Sequence, residues 1–175
     1  MEVVTGDKIK ELGVNDFADM AAYVPNVAVQ TTAGNDVIYI RGFGSPPANF
    51  SFDQAVSLYI DGVYAGRSRQ TQAPFFDLGR VEVLRGPQGA LFGKNTAAGA
   101  ISVVSAAPTR EFEGSLTGSY DFEYDGFQIS GHVSGPISDT LSLRVAGRIV
   151  DNNGYILHRA TGQKNPQTKQ QLIRL

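Results

Sequence analysis

The 175-residue chain has no cysteine, no tryptophan and only two histidines. Without cysteine there is no disulfide framework, no Cys-based zinc site and no thiol nucleophile, and neither an oxidising nor a reducing compartment is favoured. Charge is also sparse, at 18% of residues against a usual level of about 25%. The 15 Lys plus Arg and 17 Asp plus Glu are interspersed and give a net charge of -2, which leaves no basic footprint for nucleic acid and no polybasic membrane patch. No stretch reaches the roughly 18 to 20 apolar residues of a membrane-crossing helix. Strands with alternating faces can still cross a membrane while averaging near-zero hydropathy. Met1 to Gly6 lacks the basic start and apolar run of a signal peptide, so any export signal is expected outside this sequence. Glycine is abundant instead, with 20 residues, or about 11% against a usual 7%.

The first hundred residues read as a small α+β unit. Asn15 or Asp16 can cap a short helix that places Phe17, Met20, Ala21 and Val24 on one stripe and stops at Pro25. Val27 to Val29 and Val37 to Ile40 read as strands around a turn-rich segment. Residues 42–54 carry two Gly, two Pro and three Phe without periodicity and read as a long loop. Asp61-Gly62 between Val56 to Ile60 and Val63-Tyr64 predicts a type I′ hairpin. Pro74 to Leu78 can form one helical turn, and Val81 to Leu84 is a strand. Gly86-Pro87 is expected to open a helix that runs to Phe92 and stops at Gly93. Ile101 to Val104 is the last strand before Pro108.

Beyond Pro108 the periodicity becomes strictly two. Leu116, Gly118, Tyr120, Phe122 and Tyr124 alternate with Thr117, Ser119, Asp121 and Glu123. After Asp125-Gly126, Phe127, Ile129, Gly131 and Val133 alternate with Gln128, Ser130, His132 and Ser134. After Gly135 to Asp139, Leu141, Leu143, Val145, Gly147 and Ile149 alternate with Ser142, Arg144, Ala146 and Arg148. A fourth segment starts at Lys169. Such segments fit either a transmembrane β-barrel or an antiparallel meander with one face on a soluble core. The short Gly-Pro turn and the long polar stretch from Asp151 to Gln167 favour the barrel, whose turns are short on one membrane side and long on the other.

Several motifs fail on inspection. A phosphate-binding loop ending at Gly93-Lys94 would need Gly at 88 and a hydroxyl at 95, where Gln88 and Asn95 stand. His132 and His158 lack flanking carboxylates at metal-ligand spacing, and Asp53 with Asp61 lacks a nucleophile or oxyanion partner, so neither a metal, a cofactor nor an enzyme is expected. Arg41 and Arg85 are more informative, because each ends an apolar strand and precedes glycine, in Ile40-Arg41-Gly42 and Leu84-Arg85-Gly86. A half-buried guanidinium needs a partner. Glu82 is a local candidate, and partners outside the chain are another.

Val37 to Gly44, Ser57 to Tyr64, and above all Val81-Glu82-Val83-Leu84-Arg85-Gly86-Pro87-Gln88-Gly89-Ala90-Leu91-Phe92-Gly93-Lys94-Asn95 through Gly99-Ala100-Ile101 resemble the plug domain of TonB-dependent outer-membrane receptors. The resemblance implies a plug over residues 1–108, a small mixed sheet with short helices, followed over 109–175 by the first strands of an incomplete antiparallel transmembrane β-barrel. It further implies a Gram-negative outer-membrane transporter whose plug gates the barrel lumen. Such a transporter imports a scarce nutrient (ferric siderophore, cobalamin, haem or oligosaccharide) with TonB, the remaining barrel and outer-membrane lipid as partners. A free-standing plug-like ligand-binding module is the alternative. By the resemblance, Arg41 and Arg85, with Glu82 beside them, become plug-to-barrel latches, against a purely local stabilising role. The apical loops, 43–54, 64–73 and 94–97, become the ligand site, with Phe50, Phe52, Tyr64, Arg67, Arg69 and Gln70 as candidates. Residues of these types are equally expected in solvated loops.

Overall fold

A computed structural model of the chain describes residues 1–32, 36–45, 54–123, 125–154, 156–159, 162 and 164–175. It divides into two compact units, Met1–Ala106 and Ala107–Leu175.

The first unit opens with β1 (Glu2–Thr5), α1 (Gly6–Glu11) and α2 (Phe17–Ala21), followed by β2 (Val27–Thr31), β3 (Asp36–Ile40), β4 (Val56–Ile60) and β5 (Val63–Ala65). A 3-10 turn over Ser68–Gln72, β6 (Leu78–Arg85), α3 (Gly89–Phe92) and β7 (Gly99–Ser105) complete it. Five strands form one sheet in the order β1-β6-β7-β4-β5, and β2 and β3 make a separate hairpin. The β4–β7 pair is parallel, while β1–β6, β6–β7 and β4–β5 are antiparallel, so the sheet is mixed as the resemblance implied. Helix α2 follows from its caps: the Asp16 carboxylate accepts from the Asp19 N–H at 2.9 Å, and the Asp19 carboxylate accepts from the Asn15 N–H at 2.9 Å. Its apolar stripe puts Phe17, Met20 and Val24 into a core shared with Val81, Val83 and Ile101. The Asp61-Gly62 turn has φ of 49° and 79°, the I′ geometry its sequence predicts. Asp61 also holds β7, accepting from the Ser105 N–H at 2.7 Å and its hydroxyl at 2.6 Å.

Two local expectations give way to tertiary hydrogen bonds. The helix expected from Pro87 begins only at Gly89: Gln88 is its N-cap, at a non-helical φ of -116° and ψ of 23°, with its N–H donating to the Thr96 carbonyl at 3.1 Å. The turn expected at Pro74 to Leu78 is absent. The Phe75 N–H donates to the Asn15 carbonyl at 2.7 Å, Leu78 already belongs to β6, and the helical turn forms at Ser68–Gln72 instead. Helix α1, for which the sequence offers only Thr5 as a cap, was not anticipated.

The second unit is built on β8 (Glu113–Asp121), β9 (Gly126–Pro136) and β10 (Ser142–Asn152). A small hairpin of β11 (Ile156–Leu157) and β12 (Lys164–Asn165) then precedes β13 (Thr168–Arg174). The main sheet is antiparallel throughout, in the order β13-β10-β9-β8. β8 ends at Asp121, whose carboxylate accepts from the Glu123 N–H at 3.0 Å and bends the chain, so the alternation expected through Phe122 and Glu123 is not strand; Tyr124 lies outside the described residues. No closed barrel is present among the described residues, so the structure bears out strands of the barrel's kind only in part.

Gly99 tests the packing of the first unit directly. A Cβ there would press on the Leu84 carbonyl oxygen and on Ile40, at a φ of 157°. Gly99→Ala is expected to lower stability by about 2 kcal/mol or more, whereas Gly89→Ala, which meets nothing within 4 Å, should be neutral or slightly stabilising. Urea unfolding followed by circular dichroism reads both.

Candidate functional site

Strand register gathers the motif residues at one end of the five-stranded sheet. Arg85 pairs with Gly99, Gly99 with Val56, Glu2 with Val83, and Leu58 with Ala65, where β5 ends. The motif after β6 folds back over β4. Ser57 donates its hydroxyl to the Asn95 carbonyl at 2.5 Å, Tyr59 donates to the Phe92 carbonyl at 2.6 Å, and Thr96 donates to the Gly93 carbonyl at 2.8 Å. Ser57 and Tyr59 share a strand face, so this polar face of β4 anchors the loop while Val56 and Leu58 fill the core on the other. The Tyr59 ring lies 4.9 Å from Phe92 and 5.6 Å from Tyr64.

The residues singled out from sequence fall into distinct environments. Arg85 forms an ion pair with Glu2, and its Nε is buried without a hydrogen bond among the described residues. Glu82 pairs with Arg80 at 2.6 Å rather than with Arg85, since it points across the strand from Arg85. Arg41 is exposed at a φ of 55°, with its N–H donating to the Asn26 carbonyl at 2.8 Å. Tyr64 accepts from Asn95 at 2.9 Å, and Gln70 accepts from the Arg67 N–H at 3.0 Å. Arg67 lines a shallow cleft with Gln54, Leu58 and Thr71, and Arg69 is exposed. Phe50 and Phe52 lie outside the described residues. Sequence reasoning missed Glu2, Tyr59 and Asn95. Glu2 lies 83 residues from Arg85, and the register of β1 on β6 was the only signal that could have joined them.

The four-stranded sheet carries the second feature. Many of its exposed side chains are large and apolar: Leu116 is 82% exposed, with Ile129, Val133, Leu143 and Ile149 also exposed. Its buried side chains include Ser134, Arg144 and Arg148, at 1%, 6% and 8% exposure. Glu113 accepts from Arg144 at 3.0 Å and lies 3.6 Å from His132, whose Nδ1 is 2.9 Å from the Ser115 hydroxyl. Gln128 accepts from Arg148 at 2.9 Å.

A sequence profile of the TonB-dependent receptor plug domain matches residues 1–100. The chain is 31% identical over 166 residues to the pesticin receptor of Yersinia pestis, covering 91% of this chain and 24% of that receptor. It is 29% identical to the ferripyoverdine receptor of Pseudomonas aeruginosa, covering 89% of this chain and 19% of that one. The crystal structure of the ferric yersiniabactin uptake receptor FyuA from Yersinia pestis superposes with a TM-score of 0.78 at 29% identity, covering 93% of this chain and 26% of that receptor. The chain therefore belongs to the TonB-dependent receptor plug family, whose members reside in the Gram-negative outer membrane. It spans about a quarter of the length of the first of these relatives. The relatives are receptors rather than enzymes, in line with the sequence reading.

The Glu2–Arg85 pair is more enclosed than the exposed Lys8–Glu11 pair. In double-mutant cycles with glutamine substitutions, coupling of about 1–3 kcal/mol is expected for Glu2 and Arg85, and about 0–1 kcal/mol for Lys8 and Glu11. Equal coupling in the two cycles would contradict the burial argument.

Proposed function

We propose that the chain is the N-terminal part of a TonB-dependent outer-membrane receptor that takes up a ferric siderophore, with the first unit gating the lumen and the second beginning the barrel wall. The carrying observation is the inverted burial of the four-stranded sheet, with isoleucine and leucine outward and serine and arginine inward, the arrangement a membrane barrel needs with lipid outside and a polar interior. β9 and β10 have 11 residues each, within the roughly 9–11 residues of a tilted membrane-spanning strand. Unpaired strand edges cannot stay in lipid, so the free edges of β8 and β13 require further strands. Partners are accordingly the remaining barrel, TonB and outer-membrane lipid.

Among the family's nutrients, the relatives named for pyoverdine and yersiniabactin favour a ferric siderophore over cobalamin, haem or a glycan. Tyr64, Arg67, Arg69 and Gln70, with Phe50 and Phe52, supply donors, cations and aromatic faces suited to an anionic chelate. Growth of a receptor-deletion strain, with and without the restored gene, on ferric siderophores, haem, cobalamin and glycans reads the substrate class. Rescue only on haem, cobalamin or a glycan would overturn it.

Arg41 and Arg85 hold the plug to the barrel wall in this reading. Arg41 presents an exposed guanidinium and Arg85 keeps an unsatisfied Nε beside its Glu2 partner. Charge reversal, Arg41→Glu or Arg85→Glu, is expected to raise the conductance of the reconstituted receptor. Unchanged leakage in both variants would remove the latch role.

A further inference from the structure

Register sorts the outward face of the second unit into rows across the strands. The rows Val133-Val145, Leu116-Gly131-Gly147-Ile173 and Gly118-Ile129-Ile149-Gln171 are apolar or small except for Gln171. The next row, Tyr120-Phe127-Asp151-Lys169, pairs two aromatics with an ion pair of 3.1 Å between Lys169 and Asp151. Charge and aromatic rings thus replace aliphatic side chains on the same outward face within one row, as at a membrane–water boundary. Beyond this row the β11–β12 hairpin exposes Ile156 and Leu157, and places Leu157 opposite Lys164. Arg159 and Lys164 are exposed and make no ion pair among the described residues. From Asn152 to Leu175 the sequence has Arg159, Lys164, Lys169 and Arg174 and no Asp or Glu. The β8–β9 turn at the same end has the opposite sign, with Asp121, Glu123 and Asp125 and no cation.

We propose that the outward row at Lys169 and the basic β11–β12 hairpin above it form a docking surface for the phosphate-bearing head group of an anionic membrane lipid. Apolar side chains beside cations suit a molecule with acyl chains below and phosphate above. The aliphatic stems of Lys164 and Lys169 can lie along the apolar boundary while their ammonium groups reach the head groups. Lys169 stands on the outward face rather than the polar inward one, which favours lipid over a solute in the lumen. The inference rests on the membrane reading of the sheet.

The experiment uses the full-length receptor in nanodiscs of phosphatidylcholine with a minor fraction of phosphatidylglycerol. A fluorophore is attached through Gln171→Cys, on the outward face of a segment without native cysteine. Quenching by nitroxide-labelled phosphatidylglycerol is compared with quenching by nitroxide-labelled phosphatidylcholine at equal mole fraction. Since each cation near an anionic surface favours it severalfold, phosphatidylglycerol is expected to quench about two- to five-fold more. The preference should fall to parity in the triple variant Arg159→Gln, Lys164→Gln, Lys169→Gln and rise in Asp151→Asn. Equal quenching by both lipids in the unmodified charge background would overturn the proposal, as would a triple variant that keeps the preference. Absence of quenching by either lipid would instead overturn the lipid-facing reading on which it rests.

Discussion

A β-sheet whose backbone is paired strand to strand can present either face to water, and its side chains decide which. In the second unit the exposed face carries leucine, isoleucine, valine and phenylalanine while Ser134, Arg144 and Arg148 are buried. Water on the apolar side would leave this area unburied, at about 25 cal/mol per Å², so the arrangement favours an apolar neighbour on that side. The inward groups have partners within the second unit: Glu113 accepts from Arg144, Gln128 accepts from Arg148, and the Ser134 hydroxyl accepts from the Thr109 N–H. Gly131 and Gly147 lie in line with Leu116 and Ile173 on the outward face, where a small residue leaves room for bulky neighbours.

The first unit answers to a different constraint. β7 is the central strand, with Ala100 and Ile101 fully buried, and it runs antiparallel to β6 and parallel to β4. A parallel pair cannot be joined by a tight turn, so the chain between β4 and β7 makes a long excursion through β5, β6 and α3. That excursion brings the ends of β5 and β6 and the α3 loop to one end of the sheet. The site is therefore a product of connectivity, and the Ser57, Tyr59 and Asn95 hydrogen bonds hold the loop in place once it arrives.

Elements with strong local signals were legible in the sequence: the α2 stripe ending at Pro25, the Asp61-Gly62 hairpin, and the alternating strands after Pro108. Those that failed did so where a backbone group had a distant partner. Pro87 is well placed to begin a helix, but Gln88 takes non-helical backbone angles where its N–H meets Thr96, and Phe75 is held by Asn15 across sixty residues of chain. Glu82 seemed a local companion for Arg85, yet strand geometry turns it toward Arg80 and leaves Arg85 to Glu2.

The amino-acid sequence alone determined the change of periodicity after Pro108, which residues share each face of the second sheet and the family motif. These depend on composition and on neighbours a few residues apart. Only the tertiary structure decided which face is buried, which carboxylate meets Arg85, and where the outward face changes from aliphatic to charged. Each of those depends on the register of strands far apart in the chain, and a shift of one residue would reverse every side chain on a strand.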